Sequence, residues 1–69
     1  MKLRIEIERE TDGRWIREIP ELAGALAYGN TWETALASVQ ALALRVIADR
    51  SEHGELEPEQ VDILFEPLS

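Results

Sequence analysis

The feature that most constrains the fold is a run of apolar residues at helical spacing in the second half of the chain. They recur every three or four residues and so predict one face of a helix: Ala35, Leu36, Val39, Leu42, Ala43, Val46 and Ile47. Asn30 or Thr31 is the expected N-cap, and Asn30 with Glu33 has the spacing of a capping box. The helix is expected to end near residues 52–54, because Gly54 can take the left-handed conformation that closes a helix.

The part of the chain before this helix alternates like strands. Leu3–Glu8 alternates apolar and charged residues, and Arg14–Ile19 forms a second strand that Pro20 ends. The Asp-Gly pair in Thr11–Arg14 suits a tight hairpin turn in which both central residues have positive φ. Ala25–Tyr28 predicts a short third strand.

A last strand is expected after the helix. The alternation that predicts it places Val61, Ile63 and Phe65 on one side of the strand and the residues between them on the other. Pro67 is expected to stop the strand. The order strand, strand, strand, helix, strand predicts a two-layer α+β domain, in which one helix packs on one face of an antiparallel sheet.

The size and charge of the chain limit its organisation and its partners. Sixty-nine residues form a single domain of small core, for which a homo-oligomer is a reasonable expectation. The formal charge of −7 favours basic partners and disfavours direct nucleic-acid binding. There is no cysteine, which excludes disulfides and implies no redox compartment. No apolar run suits a signal peptide or a membrane span, so we expect a cytoplasmic protein.

An ordered succession of motifs covers most of the chain. A hairpin leads into the run Gly13–Gly24, which contains the bend Pro-Glu-Leu-Ala-Gly, and Tyr28–Thr31 with Glu33 and Ala35 follows. This succession resembles the HicB antitoxin family, with the pattern Pro-x-Leu-Pro-Gly and then Gly-x-Thr-x-x-Glu-Ala. Ala23 stands where that family usually has a second proline.

The resemblance implies a partial RNase H-like fold that carries no catalytic residues. It also implies an antitoxin-like function, in which the domain neutralises a basic, mRNA-cleaving HicA-type toxin by direct protein–protein contact. Many family members add a DNA-binding module. We expect residues 1–69 to form a single HicB-like domain without a C-terminal DNA-binding module.

No catalytic, cofactor-binding or metal-binding residue is predicted. His53 lies beside Glu52 and near Ser51, which permits a Ser/His/acid group on paper. A lone histidine in the last turn of a helix is more simply explained by the helix dipole. The many carboxylates from residue 52 to residue 62 suit a solvated segment, and their spacing matches no metal-binding loop.

The aromatic residues Trp15, Tyr28 and Trp32 are the candidate partner contacts, although each could also pack in the core. A second apolar surface is also expected, because a sheet with one helix leaves one face uncovered. Its candidate residues are Ile16, Leu26 and Leu64 on the sheet and Leu44 on the helix, off the apolar stripe.

Two other functions compete with the antitoxin hypothesis. One is an orphan interaction domain that forms homo-oligomers and has no toxin partner. The other is an enzyme, a degenerate RNase H-like nuclease, which requires acids clustered on adjacent strands to bind a divalent metal. The acids of the predicted strands occupy scattered solvent-side positions, so the sequence favours a non-enzymatic protein.

Overall fold

The computed structural model describes residues 1–56 and 63–67. Three strands precede one long helix, and a fourth strand follows it. Their bounds are β1 (Lys2–Arg9), β2 (Trp15–Glu18), β3 (Leu26–Gly29), α1 (Trp32–Glu52) and β4 (Leu64–Pro67). The predicted α+β class and the order β-β-β-α-β are confirmed, and the strand bounds differ from the predicted ones by a few residues at most ends.

The four strands form one sheet in the order β3-β2-β1-β4. The pairs β1–β2 and β2–β3 are antiparallel as predicted, but β4 runs parallel to β1, so the sheet is mixed. Two reversals give β3 the same direction as β1. The helix then carries the chain back along the sheet, so β4 starts at the same end as β1 and runs the same way.

The β1–β2 connection is longer than a two-residue turn. Gly13 donates its N–H to the Glu10 carbonyl at 3.0 Å, and Glu10 donates to the Arg14 carbonyl at 2.8 Å. Gly13 has φ +91°, whereas no residue other than glycine has positive φ in the part of the chain that is described. The prediction that both Asp12 and Gly13 take positive φ is therefore wrong. The longer loop needs only one left-handed position, and glycine fills it without strain.

The hydrophobic core lies between α1 and one face of the sheet. The helix contributes Ala35, Val39, Ala43 and Ile47, which recur every fourth residue and confirm the predicted stripe. The strands and the β2–β3 connection contribute the remaining buried apolar side chains: Leu3, Ile5, Ile19, Leu22 and Ala25. We call this helix-facing side of the sheet the covered face.

The helix begins with a capping box made by two threonines. Thr31 is the N-cap, its Oγ1 accepts the Thr34 N–H at 3.1 Å, and Thr34 Oγ1 accepts the Thr31 N–H at 3.1 Å. The predicted Asn30–Glu33 box is therefore wrong by one residue. A hydroxyl at the third helical position performs the reciprocal role that the sequence assigned to a carboxylate. The predicted end is confirmed, because His53 is the C-cap and Gly54 has φ +70°.

The last strand is shorter than predicted at its start and longer at its end. Phe65 pairs with Leu3 on the covered face, and Pro67 belongs to the strand, opposite Ile5. Pro67 was expected to stop the strand. A proline is tolerated here because β4 is an edge strand and its missing N–H can face away from the sheet. The predicted strand residue Val61 lies outside the described residues.

Candidate functional site

The side of the sheet opposite α1, which we call the open face, has no described element packed on it. Its side chains are those that alternate with the core residues along each strand. The register of the strands sets them in rows across the sheet. The rows are Lys2–Leu64, Arg4–Glu66, Glu6–Glu18–Leu26 and Glu8–Ile16–Tyr28.

The charges at the β4 end of the open face are balanced. Lys2 Nζ lies 3.0 Å from Glu66 Oε2, and Arg4 Nε lies 3.3 Å from Glu21 Oε2. Glu21 Oε2 also accepts the Arg4 backbone N–H at 3.2 Å, and this bond is the main cause that holds the pKa of Glu21 below its usual range. Each cation in this half of the face has an acidic partner.

The other half of the open face carries three acids that lack such partners. Glu6 lies directly opposite Glu18 on the neighbouring strand, and Glu8 lies one row away. Within residues 1–56 and 63–67, no lysine or arginine forms an ion pair with any of them. Residues 57–62 and 68–69 contain no lysine or arginine. Like charges directly opposite each other destabilise a sheet.

Apolar side chains lie beside these acids. Ile16 is half-buried, while Leu26 and Tyr28 are 41% and 46% exposed. The Arg14 guanidinium carbon lies 4.7 Å from the centre of the Tyr28 ring, where it stacks on the edge strand. We call the six residues Glu6, Glu8, Ile16, Glu18, Leu26 and Tyr28 the acidic-apolar patch.

The covered face holds a charge in a different way. Arg17 is fully buried, and its guanidinium carbon lies 4.4 Å from the centre of the Trp32 ring in the first turn of α1. Burial lowers the pKa of Arg17 because it disfavours the charged form. Arg9 stacks on Trp15 at 5.0 Å in the same manner, at the end of this face. Both tryptophans are half-buried.

The three aromatic candidates thus lie on two sides of the sheet. Trp15 and Trp32 lie on the covered side, each stacked on an arginine, while Tyr28 lies on the open face. The structure does not bring the three together. The expected second apolar surface is found only in part: Ile16 and Leu26 lie on neighbouring strands of the open face, whereas Leu64 lies on the opposite edge strand and Leu44 on α1.

The acids of the patch were absent from the sequence-based candidates. Their solvent-side position was predicted, because Glu6 and Glu8 flank an inward-facing Ile7 in the alternation of β1. Their proximity to Glu18 was not predicted, because it depends on the length of the β1–β2 loop.

His53, the histidine considered for a catalytic group, contacts a residue of its own helix. His53 Nδ1 donates to the Asp49 carbonyl at 2.7 Å and lies 3.5 Å from Asp49 Oδ1 at the exposed end of α1. Among the described residues, no group of three or more histidine, aspartate or glutamate side chains is arranged to hold a metal ion.

Asp12 is also locally engaged. Its carboxylate accepts the Arg14 backbone N–H at 3.1 Å and the Arg14 Nε–H at 2.9 Å, and the backbone bond is the main cause that lowers the pKa of Asp12. This contact lies in the loop beside the patch and engages the same Arg14 guanidinium that stacks on Tyr28.

In the described ranges, α1 included, no helix combines the length and apolarity that a membrane crossing requires. No protein family, no curated protein and no solved structure gives a significant match to this chain.

Proposed function

We propose that this chain is an antitoxin-like binding domain, which neutralises a basic, HicA-type mRNA-cleaving toxin by direct contact. The observation that carries the proposal is the open face of the sheet, where Glu6, Glu8 and Glu18 have no cationic partner among the described residues. The order of sequence motifs that resembles the HicB family supports the choice of partner.

The charge distribution suits a basic protein partner. The formal charge is −7, and five of the seven cations are paired with an acid or stacked on an aromatic ring within the chain. The acids on the open face would steer a basic protein towards the sheet and raise the association rate. The same field repels the phosphate backbone of a nucleic acid.

The apolar part of the open face supplies the second element of a protein interface. Leu26 and Tyr28 are exposed next to Ile16 and would be removed from water by a partner. Aromatic residues surrounded by charged ones are typical of interfaces, in which the apolar centre contributes affinity and the charged rim contributes orientation. The domain would act by occupying the RNA-binding surface of the toxin, without chemistry of its own, in the cytoplasm.

Co-expression tests this function. The chain is produced together with the small basic protein encoded by the neighbouring reading frame, and the pair is analysed by size-exclusion chromatography with light scattering. We expect a stable complex, and rescue of the growth defect that the basic protein causes alone. A basic neighbour whose toxicity the chain leaves unchanged, and which elutes separately, would exclude the antitoxin function.

A homo-oligomeric interaction domain without a toxin partner is the second candidate. Leu44 favours it, because this large apolar side chain is exposed on α1, away from the acids of the open face. The same light-scattering experiment distinguishes the two. A homo-oligomer that Leu44→Ser dissociates, and that no basic protein displaces, would support this second candidate.

A further inference from the structure

We propose that the acidic-apolar patch is the docking surface for a basic amphipathic segment of another protein, and that a second copy of this chain does not dock there. The inference rests on the proposed function and deepens it, because it states which half of the open face is used and what the contacting segment looks like. It depends on the contrast between the two halves of the open face.

The half of the open face next to β4, where each cation is paired with an acid, would gain little free energy from binding a charged partner. Lys2 and Arg4 are already paired with Glu66 and Glu21, at 3.0 Å and 3.3 Å. A partner that bound there would have to replace existing ion pairs with new ones of the same kind. The net gain would be small, because such exposed pairs contribute little to begin with.

The patch differs because its acids already repel one another. Glu6 and Glu18 are directly opposite, and Glu8 is one row away on β1. All seven lysines and arginines of the chain lie in the described part, and none of them forms an ion pair with these acids. An added lysine or arginine would remove a repulsion and form an attraction in the same step.

The apolar residues define the shape of the segment. Leu26 and Tyr28 belong to the edge strand β3, Ile16 and Glu18 to the neighbouring β2, and the other acids to β1. A segment lying along β2, parallel to the strands, therefore meets an apolar strip on its β3 side and acids on its β1 side. Only an amphipathic segment, with apolar residues along one side and cations along the next, satisfies both sides at once.

A second copy fits this surface poorly. Two patches related by a twofold axis bring six acids into one interface, and the patch residues themselves supply no lysine or arginine to balance them. Burying like charges together without counter-charges is unfavourable. Self-association of the chain, if it occurs, would have to use a different surface.

The test uses a synthetic helical peptide with one leucine-rich and one lysine-rich side, which is titrated into the ¹⁵N-labelled full chain. Binding is followed by backbone amide chemical shifts. The double variant Glu6→Gln/Glu18→Gln is compared with Glu33→Gln/Glu52→Gln, whose carboxylates lie at the two ends of α1. Both variants remove two negative charges from the same formal charge of −7, so only the location of the charge differs.

We expect shifts in β1, β2 and β3, and a Kd that rises about tenfold in Glu6→Gln/Glu18→Gln but less than about twofold in the control variant. Tyr28→Ser should weaken binding more than Leu44→Ser, which removes a similarly exposed apolar side chain from the helix. Equal losses in both double variants, or shifts confined to α1, would overturn the proposal. So would a dimer of the free chain that Tyr28→Ser dissociates.

The result is independent of the toxin experiment. If the patch binds the peptide but no basic neighbour forms a complex, the docking surface stands and the antitoxin function fails. If the basic neighbour binds with unchanged affinity for Glu6→Gln/Glu18→Gln, the function stands and the assigned surface is wrong.

Discussion

The two faces of the sheet treat charge in opposite ways. On the covered face, Arg17 is the one fully buried charged residue among those described, and it lies against the ring of Trp32. On the open face, Glu6 and Glu18 lie opposite each other, and neither forms an ion pair with a described cation. Burial disfavours the charge of Arg17 and the Trp32 ring offsets part of that cost, whereas no described group offsets the repulsion between the two glutamates. Local arrangements that cost stability without a visible return are typical of functional surfaces.

The largest expected loss of folding stability comes from a substitution in the core on the covered face. Ile5 is fully buried in the core, so Ile5→Ala should lower the free energy of unfolding by about 2–5 kcal/mol. Leu64→Ala on the open face, at a residue that is 59% exposed, should change it by less than about 0.5 kcal/mol. Urea denaturation followed by circular dichroism measures both. Similar losses at the two positions would mean that the open face is buried in solution.

The second effect tests how closely β3 approaches α1. A Cβ added at Gly29 would overlap the backbone nitrogen of Ala35 and lie 2.7 Å from Thr34 Oγ1. Gly29→Ala should therefore lower the free energy of unfolding by about 1–3 kcal/mol, because the helix backbone must move. Thermal unfolding measures the change.

The matched control is Gly24→Asn. Apart from its chain neighbours, no described residue has an atom within 4 Å of the added Cβ, and asparagine tolerates the φ of +85° better than other side chains. Its cost should stay below about 1 kcal/mol. A larger loss at Gly24 than at Gly29 would contradict the close packing of β3 on the helix.

The third effect has the opposite sign. Glu18→Lys replaces the repulsion between Glu18 and Glu6 with an attraction, so the isolated chain should gain about 0.2–1 kcal/mol in stability. The control Glu33→Lys should lose about 0.3–1 kcal/mol, because it places a cation in the first turn of α1, at the positive end of the helix dipole. Chemical denaturation at low salt measures both. A Glu18→Lys variant less stable than the natural chain would show that the opposition of Glu6 and Glu18 does not lower the stability of the fold.

The smallest expected effect is on the loss of folding stability at low pH. The Arg4 backbone N–H holds the pKa of Glu21 below its usual 4.5. A lowered pKa contributes stability that is present above about pH 4.5 and is lost as the pH falls through the folded-state pKa. Glu21→Gln should thus reduce the loss of stability on acidification in this range, as measured by urea midpoints at several pH values. An unchanged pH profile in Glu21→Gln would contradict this contribution of the Glu21 carboxylate.

The covered face was largely predictable from the sequence, while the arrangement of the open face was not. The helical stripe and the alternation of β1 are local patterns, and burial follows them directly. The predicted antiparallel direction of β4 was wrong. Alternating apolar residues identify a strand, but they do not indicate which strand it pairs with. The opposition of Glu6 and Glu18 depends on the register that the Glu10–Arg14 loop sets, and the Asp-Gly pair indicated a shorter turn.

The aromatic residues illustrate the same limit. The sequence alone does not distinguish an interface role from a core role for Trp15, Tyr28 and Trp32, because each lies close to the end of a predicted element. Each of them stacks on an arginine, but Trp15 and Trp32 do so on the covered side, whereas Tyr28 does so on the open face, in the row of Ile16 and Glu8. The buried position of Arg17 could not be read from the sequence, because arginine is almost never fully buried.

The pairing of β1 with β4 also has a consequence for protein synthesis. Leu3 lies beside Phe65, so one edge of β1 has no partner until residues 64–67 have left the ribosome. The hairpin and the helix can form earlier, because their contacts are local in sequence. Until β4 has been made, the nascent chain therefore exposes a strand edge that can pair with other chains.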